Sequence, residues 1–202
     1  MQPTDILRNE HRVIEQVLCC LERIANQFDS EGILDKDAAR QAIDFFQNFA
    51  DRCHHGKEEA YLFPFLQHKD FRRLSQPVAR MLMEHDEGRD HIRAMMAALD
   101  EAEPDVRTAV TRFAAHARAY IALLREHIKK EDHCLFPMAE EILSVLDKQA
   151  LDRSFHQVEH DDMGTGTHER YLKLANDLAD HLGVEPSVVE HAVGQGCGCH
   201  SN

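Results

Sequence analysis

The sequence predicts an all-α protein, an antiparallel up-down four-helix bundle with a short helical C-terminal extension. Three observations carry this expectation. Apolar residues recur at alternating steps of four and three along separate stretches, the period of an amphipathic helix rather than of a strand. Residues that punctuate a chain are scarce: nine glycines and six prolines among 202 residues, with no tryptophan and 43% apolar content. Finally, the pattern H-x3-E-x3-L-F-P occurs twice, at residues 54–64 and 127–137, so the chain reads as two copies of a two-helix unit.

The first helix is expected over about residues 4–28, with Thr4 as its N-cap. Leu7, His11, Ile14, Leu18, Leu21, Ala25 and Phe28 form one apolar stripe, and His11 lies within it between aliphatic neighbours. The segment "DSEGILDKD" is the first loop, with Asp35 capping a second helix over about 36–68 whose buried side is marked by Ala42, Ile43, Phe45, Phe46, Phe49, Ala50 and Cys53. "HKDFRRLSQP" is the second connection. A third helix over about 76–100 carries Val78, Leu82, His85, Ile92, Met96 and Leu99. "DEAEPD" then breaks the chain, and Pro104 can open a fourth helix over about 105–146 along Phe113, Ala117, Tyr120, Leu124, His127, Glu131, Cys134 and Met138. Residues 1–146 are thus expected to be the bundle. Residues 147–202 are expected to be an extension with two further helical stretches around the turn "MGTGT" and a mobile, Cys- and Gly-rich tail.

A net charge of −13 speaks against nucleic acid or an anionic membrane as partner, since both would repel the protein. No apolar run approaches the length of a membrane span, and the polar N-terminus lacks a signal-peptide core, which suggests a cytoplasmic protein. Six cysteines read as free thiols in a reducing compartment. Fifteen histidines beside 36 acidic residues suit a metal of intermediate hardness such as iron, manganese or zinc.

The repeat makes this specific. His54 and Glu58 recur as His127 and Glu131, and the stripe histidines His11 and His85 precede them by 43 and 42 residues. Distances to the loop centres place all four histidines at similar heights in antiparallel helices. An H-x3-E pair lies one turn apart on one helix face. His11, His54, Glu58, His85, His127 and Glu131 are therefore expected to meet inside the bundle as a six-residue metal set, with the two glutamates bridging. His55 competes with His54, Glu59 with Glu58, and Asp132 with Glu131. The apolar stripe and the alignment on Leu-Phe-Pro favour the first of each pair. Cys53 and Cys134 are expected on the buried face as small core residues, or else as redox-active thiols near the metal. His156, His160 or His168 could add a fifth imidazole or a lid. Tyr61, Tyr120 and Tyr171 could bond a metal-bound oxygen species, and Cys197, Cys199 and His200 could hold a soft metal.

At "EH" (10–11 and 84–85), "HHGKEEAYLFP" (54–64) and "HIKKEDHCLFP" (127–137), the sequence resembles the hemerythrin-like, HHE cation-binding family over about residues 4–146. The resemblance implies two iron ions, carboxylate-bridged and oxo- or hydroxo-bridged, held by His11, His54, Glu58, His85, His127 and Glu131. Oxygen-carrying members place a second histidine four residues after the one on the third helix, where this chain has Arg89. The set is therefore similar to the four-histidine, two-glutamate bacterial variant and the repair-of-iron-centres group. That departure opens a coordination position and speaks against reversible oxygen carriage. The implied function is reaction with a small oxidant (peroxide, dioxygen or nitric oxide) in stress protection or iron-centre maintenance. The alternatives are a non-enzymatic iron or oxygen store, donor or sensor, and a structural metal module that docks a protein partner.

Overall fold

The computed structural model describes residues 2–32, 34–101, 106–159, 164 and 166–186. His160, Pro104 and the Cys197–Cys199–His200 motif lie outside these. The described residues are helical almost throughout and contain no strand. In order they form α1 (Pro3–Glu31), α2 (Lys36–Phe45), α3 (Phe63–Lys69), α4 (Phe71–Asp100), α5 (Val106–Lys130), α6 (Phe136–Ile142), α7 (Val145–Gln157) and α8 (Thr167–Leu182). π-Helical stretches interrupt them at Phe46–His55 and Glu58–Leu62, between α2 and α3, and at Glu131–Leu135, between α5 and α6.

The caps set the boundaries and correct several expectations. Gln2, not Thr4, caps α1: its side chain and that of Asp5 form a capping box, with Pro3 in the first turn, where a missing N–H costs nothing. Thr4 is inside the helix, and its hydroxyl donates to Glu140 Oε1 at 2.8 Å. Asp35 caps α2 as expected, accepting the Ala38 N–H at 2.9 Å. The second connection shrinks to Asp70, whose carboxylate accepts the Arg73 N–H at 3.1 Å; the helix therefore starts at Phe71 and carries Pro77 inside it. The chain breaks after Ile142, short of residue 146, because Ser144 and Asp147 form a new capping box that starts α7.

The buried face of α4 is Val78, Met81, His85, Gly88, Ile92, Met95 and Leu99. Leu82 and Met96, expected on that stripe, are 37% and 36% exposed; the inward positions fall one residue earlier, at Met81 and Met95. Cys134 is likewise exposed, while Cys53 is buried.

Two apolar clusters form the core. The larger joins α1, α2, α4 and α5, and it includes Tyr171, Ala175, Leu178, Ala179 and Leu182 of α8. The smaller, at the other end, joins Leu7, Leu62, Phe63, Leu66, Leu74, Val78, Leu135 and Phe136 with Leu151 and Phe155 of α7. Residues beyond 146 are thus built into both clusters. Between the clusters lies a layer of buried charge: Glu10, His11, His54, His55, Lys57, Glu58, Glu84, His85, His127 and Glu131 are each at most 5% exposed. Charged side chains are almost never buried without partners, so this layer is where function is sought.

Candidate metal centre

The π-helical stretches explain how so many polar groups reach the interior. A turn closed by an i→i+5 bond holds an extra residue and shifts the inward stripe. Cys53, His54, His55, Lys57 and Glu58 are consequently all buried within six positions, a density that one face of an α-helix does not reach. The Leu-Phe-Pro motif ends the π turn in both copies. Phe63 N–H donates to Glu58 O, and Phe136 N–H to Glu131 O, five residues back. The following proline, in the first turn of α3 and of α6, has no N–H to bond back into the π turn. The phenylalanines also wall the site across the repeat. Phe63 stacks on His85 at 5.8 Å between ring centroids, and Phe136 on His11 at 5.5 Å.

The six residues expected from the sequence converge. His11 Nε2 and His54 Nε2 are 3.0 Å apart, and His85 Nε2 and His127 Nε2 are 3.1 Å apart. Each glutamate spans both pairs. Glu131 Oε2 lies 3.2 Å from His11 Nε2 and 3.3 Å from His127 Nε2. Glu58 places Oε1 3.8 Å from His54 Nε2 and Oε2 3.5 Å from His85 Nε2. Ligand atoms of His11, His54, Glu58 and Glu131 all fall within 4.8 Å of one another, and so do those of His55, Glu58, His85 and His127. Glu58 is common to both sets. His55 belongs to the second, so both neighbours, His54 and His55, are buried at the centre.

The other ring nitrogen of each histidine meets a carboxylate. His11 Nδ1 is 2.9 Å from Asp132, His54 Nδ1 3.0 Å from Glu10, His85 Nδ1 2.7 Å from Glu59, and His127 Nδ1 3.0 Å from Glu84. An acceptor at Nδ1 fixes the proton there and turns the Nε2 lone pair toward the centre, as in carboxylate–histidine–metal arrangements. These four carboxylates were missed as supports, although each adjoins an expected ligand in sequence: Glu10–His11, Glu58–Glu59, Glu84–His85 and Glu131–Asp132. The adjacency was visible. What was not visible is that each holds a histidine on another segment. Two lysines, also unassigned, back them. Lys57 Nζ binds Glu10, and binds Glu159 at 2.5 Å; Lys130 Nζ binds Glu84 at 2.5 Å.

Electrostatics follow this layout. Burial works against the Glu10 carboxylate, yet Lys57 and His54 hold it down at about 2. Burial would lower His11, but the carboxylates of Asp132 and Glu131 beside it push it up to about 9. His127 is similarly buried, and Glu131 and Glu84 push it up to about 10. The excess of carboxylates at the centre therefore draws positive charge to itself. Burial pushes the Cys53 thiol up to about 12, so it is protonated and unreactive near neutral pH.

Both oxygens of Glu58 and both of Glu131 are buried and accept no hydrogen bond. Four such oxygens cost several kcal/mol unless a cation meets them. With imidazole nitrogens 3.2–3.8 Å away, they form a donor set that fits divalent cations of the iron, manganese or zinc type. The chain also matches the hemerythrin HHE cation binding domain over residues 2–139. It belongs to the hemerythrin HHE cation-binding family. This HHE chain is 22% identical over 182 residues to uncharacterized proteins of Mycobacterium bovis and Mycobacterium tuberculosis, an alignment covering 90% of its length and 70% of theirs. No solved structure matches it.

The remaining expected residues lie apart from the HHE centre. His156 is exposed, and His168 packs on Phe49 beside Glu10 and Cys53. Tyr171 is buried against Phe45 in the large cluster, and Tyr61 is half-buried. Tyr120 does approach the site. With Phe46, Asp51, His55, His85, Gly88 and Arg89 it lines a cavity of about 140 Å³ on the His55–His85 side.

Glu84 tests the supporting layer. Glu84→Gln keeps the size of the side chain but loses the charge that fixes His127. It is expected to weaken cation binding about 10–100-fold, read by competition with a chelator. An unchanged affinity would remove Glu84 from the design.

Proposed function

We propose that this protein holds two iron ions between the His11–His54 and His85–His127 pairs, bridged by Glu58 and Glu131, and uses them on a small oxidant: peroxide, dioxygen or nitric oxide. The observation that carries the reading is the way each buried glutamate spans both imidazole pairs with no hydrogen-bond donor on either oxygen. Iron suits a six-residue, carboxylate-bridged set better than zinc in a closed tetrahedral site. Bound there, the metal pair would supply reversible one-electron chemistry at each ion. The chain's own part is to orient the imidazoles through Glu10, Glu59, Glu84 and Asp132, to neutralise that outer layer with lysine and arginine, and to exclude bulk water between two apolar clusters.

The cavity beside His55 and His85 supports a small substrate, since about 140 Å³ admits a molecule of a few heavy atoms. A Cβ added at Gly88 would come within 3.4 Å of the Tyr120 ring. Gly88→Val is expected to slow reaction with peroxide while leaving metal content unchanged. On this reading, residues 1–146 form the up-down metal-binding bundle and residues 147–202 extend it, in a cytoplasmic protein of protective or iron-centre maintenance role.

The deciding experiment is metal analysis of anaerobically purified protein, with optical spectra before and after peroxide. Two irons per chain and spectral cycling with peroxide loss are expected. One zinc per chain would make the site structural, and stable reversible oxygenation would make the protein a carrier.

A further inference from the structure

We infer that His91 and His116 form a second cation site, on the α4–α5 surface and outside the HHE centre, for one divalent ion of the borderline class: nickel(II), copper(II) or zinc. The inference does not depend on what the inner centre holds. His91 Nδ1 and His116 Nδ1 lie 3.1 Å apart, and their rings are tilted at 53°. The imidazole pairs of the HHE centre share both features, with nitrogens 3.0 and 3.1 Å apart and rings tilted at 59° and 64°. The separation suits a shared ion. Nitrogens bound about 2.0–2.1 Å from one metal lie about 2.9 Å apart at a right angle and about 3.3 Å apart at a tetrahedral angle. The ring centroids are 5.4 Å apart here, against 4.6 and 4.8 Å inside, so these two rings meet more nearly end to end. Closing on an ion takes a turn of each ring about χ2, a torsion with a broad profile.

The chemistry of the pair fits the same class of ion. Both imidazoles are half-buried, and among the described residues neither bonds a carboxylate. Burial and the neighbouring His116 hold His91 below the usual histidine range, so His91 is neutral near neutral pH. Neutral imidazole is a preferred donor for nickel, copper and zinc. An ion that displaces the proton between the two nitrogens gains both lone pairs at once. Glu87 stands four residues before His91, one turn away on the same face of α4; it is exposed, and its charge favours a cation at His91. The two histidines sit on long helices rather than loops. Gly88, one turn before His91, lets α4 approach the Tyr120 ring on α5, which keeps the helices close at this level.

The test titrates full-length protein with nickel(II), read by calorimetry. Nickel binds imidazole well and, unlike copper(II), leaves free thiols unoxidised. Wild type is expected to take up one more ion than His91→Ala or His116→Ala, because nickel entering the HHE centre or the Cys197–Cys199–His200 motif enters all three alike. Loss of either imidazole should weaken this ion by about 100-fold or more, the scale of a lost second attachment point. The double variant should be no worse than either single one, the mark of two groups holding one ion. His91→Gln and His116→Gln, which keep bulk and polarity, should lose the same ion, and His156→Ala, at an exposed site, should match wild type. Equal stoichiometry and affinity in wild type and in the His91 and His116 variants would overturn the inference. So would an ion lost from the variants at one position and kept in those at the other.

Discussion

Replacing Glu58 and Glu131 together by glutamine is expected to abolish uptake of both cations. Each glutamate reaches imidazoles of both pairs, so no position keeps an anionic donor after the change. The substitution conserves volume and leaves the four outer carboxylates on their histidines. Metal content should fall from two equivalents to near zero. Thermal stability gives a second reading. A cation that binds only the folded chain stabilises it by RT ln(1 + [L]/Kd), about 4 kcal/mol at a thousandfold excess over Kd. Adding iron should therefore raise the melting temperature of the wild type and leave that of the double variant where it was. A double variant that still held two irons would remove these glutamates from the centre.

Lys57→Met is expected to cost about 3–5 kcal/mol, the scale for leaving a buried charge uncompensated. Lys57 is fully buried and is the cation that meets Glu10, itself 3% exposed and engaged with His54. Its repeat counterpart should matter far less. Lys130 binds Glu84 in the same way, but its side chain is 38% exposed, and Arg80 also reaches Glu84, at 2.7 Å. Lys130→Met should cost under about 1 kcal/mol, in the range of solvent-screened pairs. The difference arises because Lys57 also meets Glu159, just past the end of α7, whereas among the described residues none from the extension bonds Lys130. Urea unfolding of the metal-free variants measures both, and equal losses would refute the account.

The repeat made the centre legible. Identical spacing in two copies selected six residues that the fold gathers, each glutamate lying within 3.8 Å of an imidazole of either pair. The helices themselves followed from the four-three alternation. The missed features share a cause. An α-helical wheel assumes 100° per residue, and the π turns at Phe46–His55 and Glu131–Leu135 break that assumption where the ligands are. The wheel turns only one of His54 and His55 inward, whereas the backbone buries both, and it put Cys134 inside when it faces solvent. Glu10, Glu59, Glu84 and Asp132 were hidden because an acidic residue on a helix ordinarily reads as solvated surface; only the packing of other segments reveals its partner. The Asp70 cap outweighed the loop signal from "SQP", since a side-chain acceptor at the right offset starts a helix even with proline seven residues on.

The two-fold pairing of parts also bears on ancestry. Neither hairpin alone contains a complete donor set: Glu58 needs His85 from the second half, and Glu131 needs His11 from the first. A gene half this length could have built the same centre only by self-association of identical subunits. Carrying both copies on one chain lets the halves differ, as they do where Lys57 is fully buried against Glu159 while Lys130 is 38% exposed.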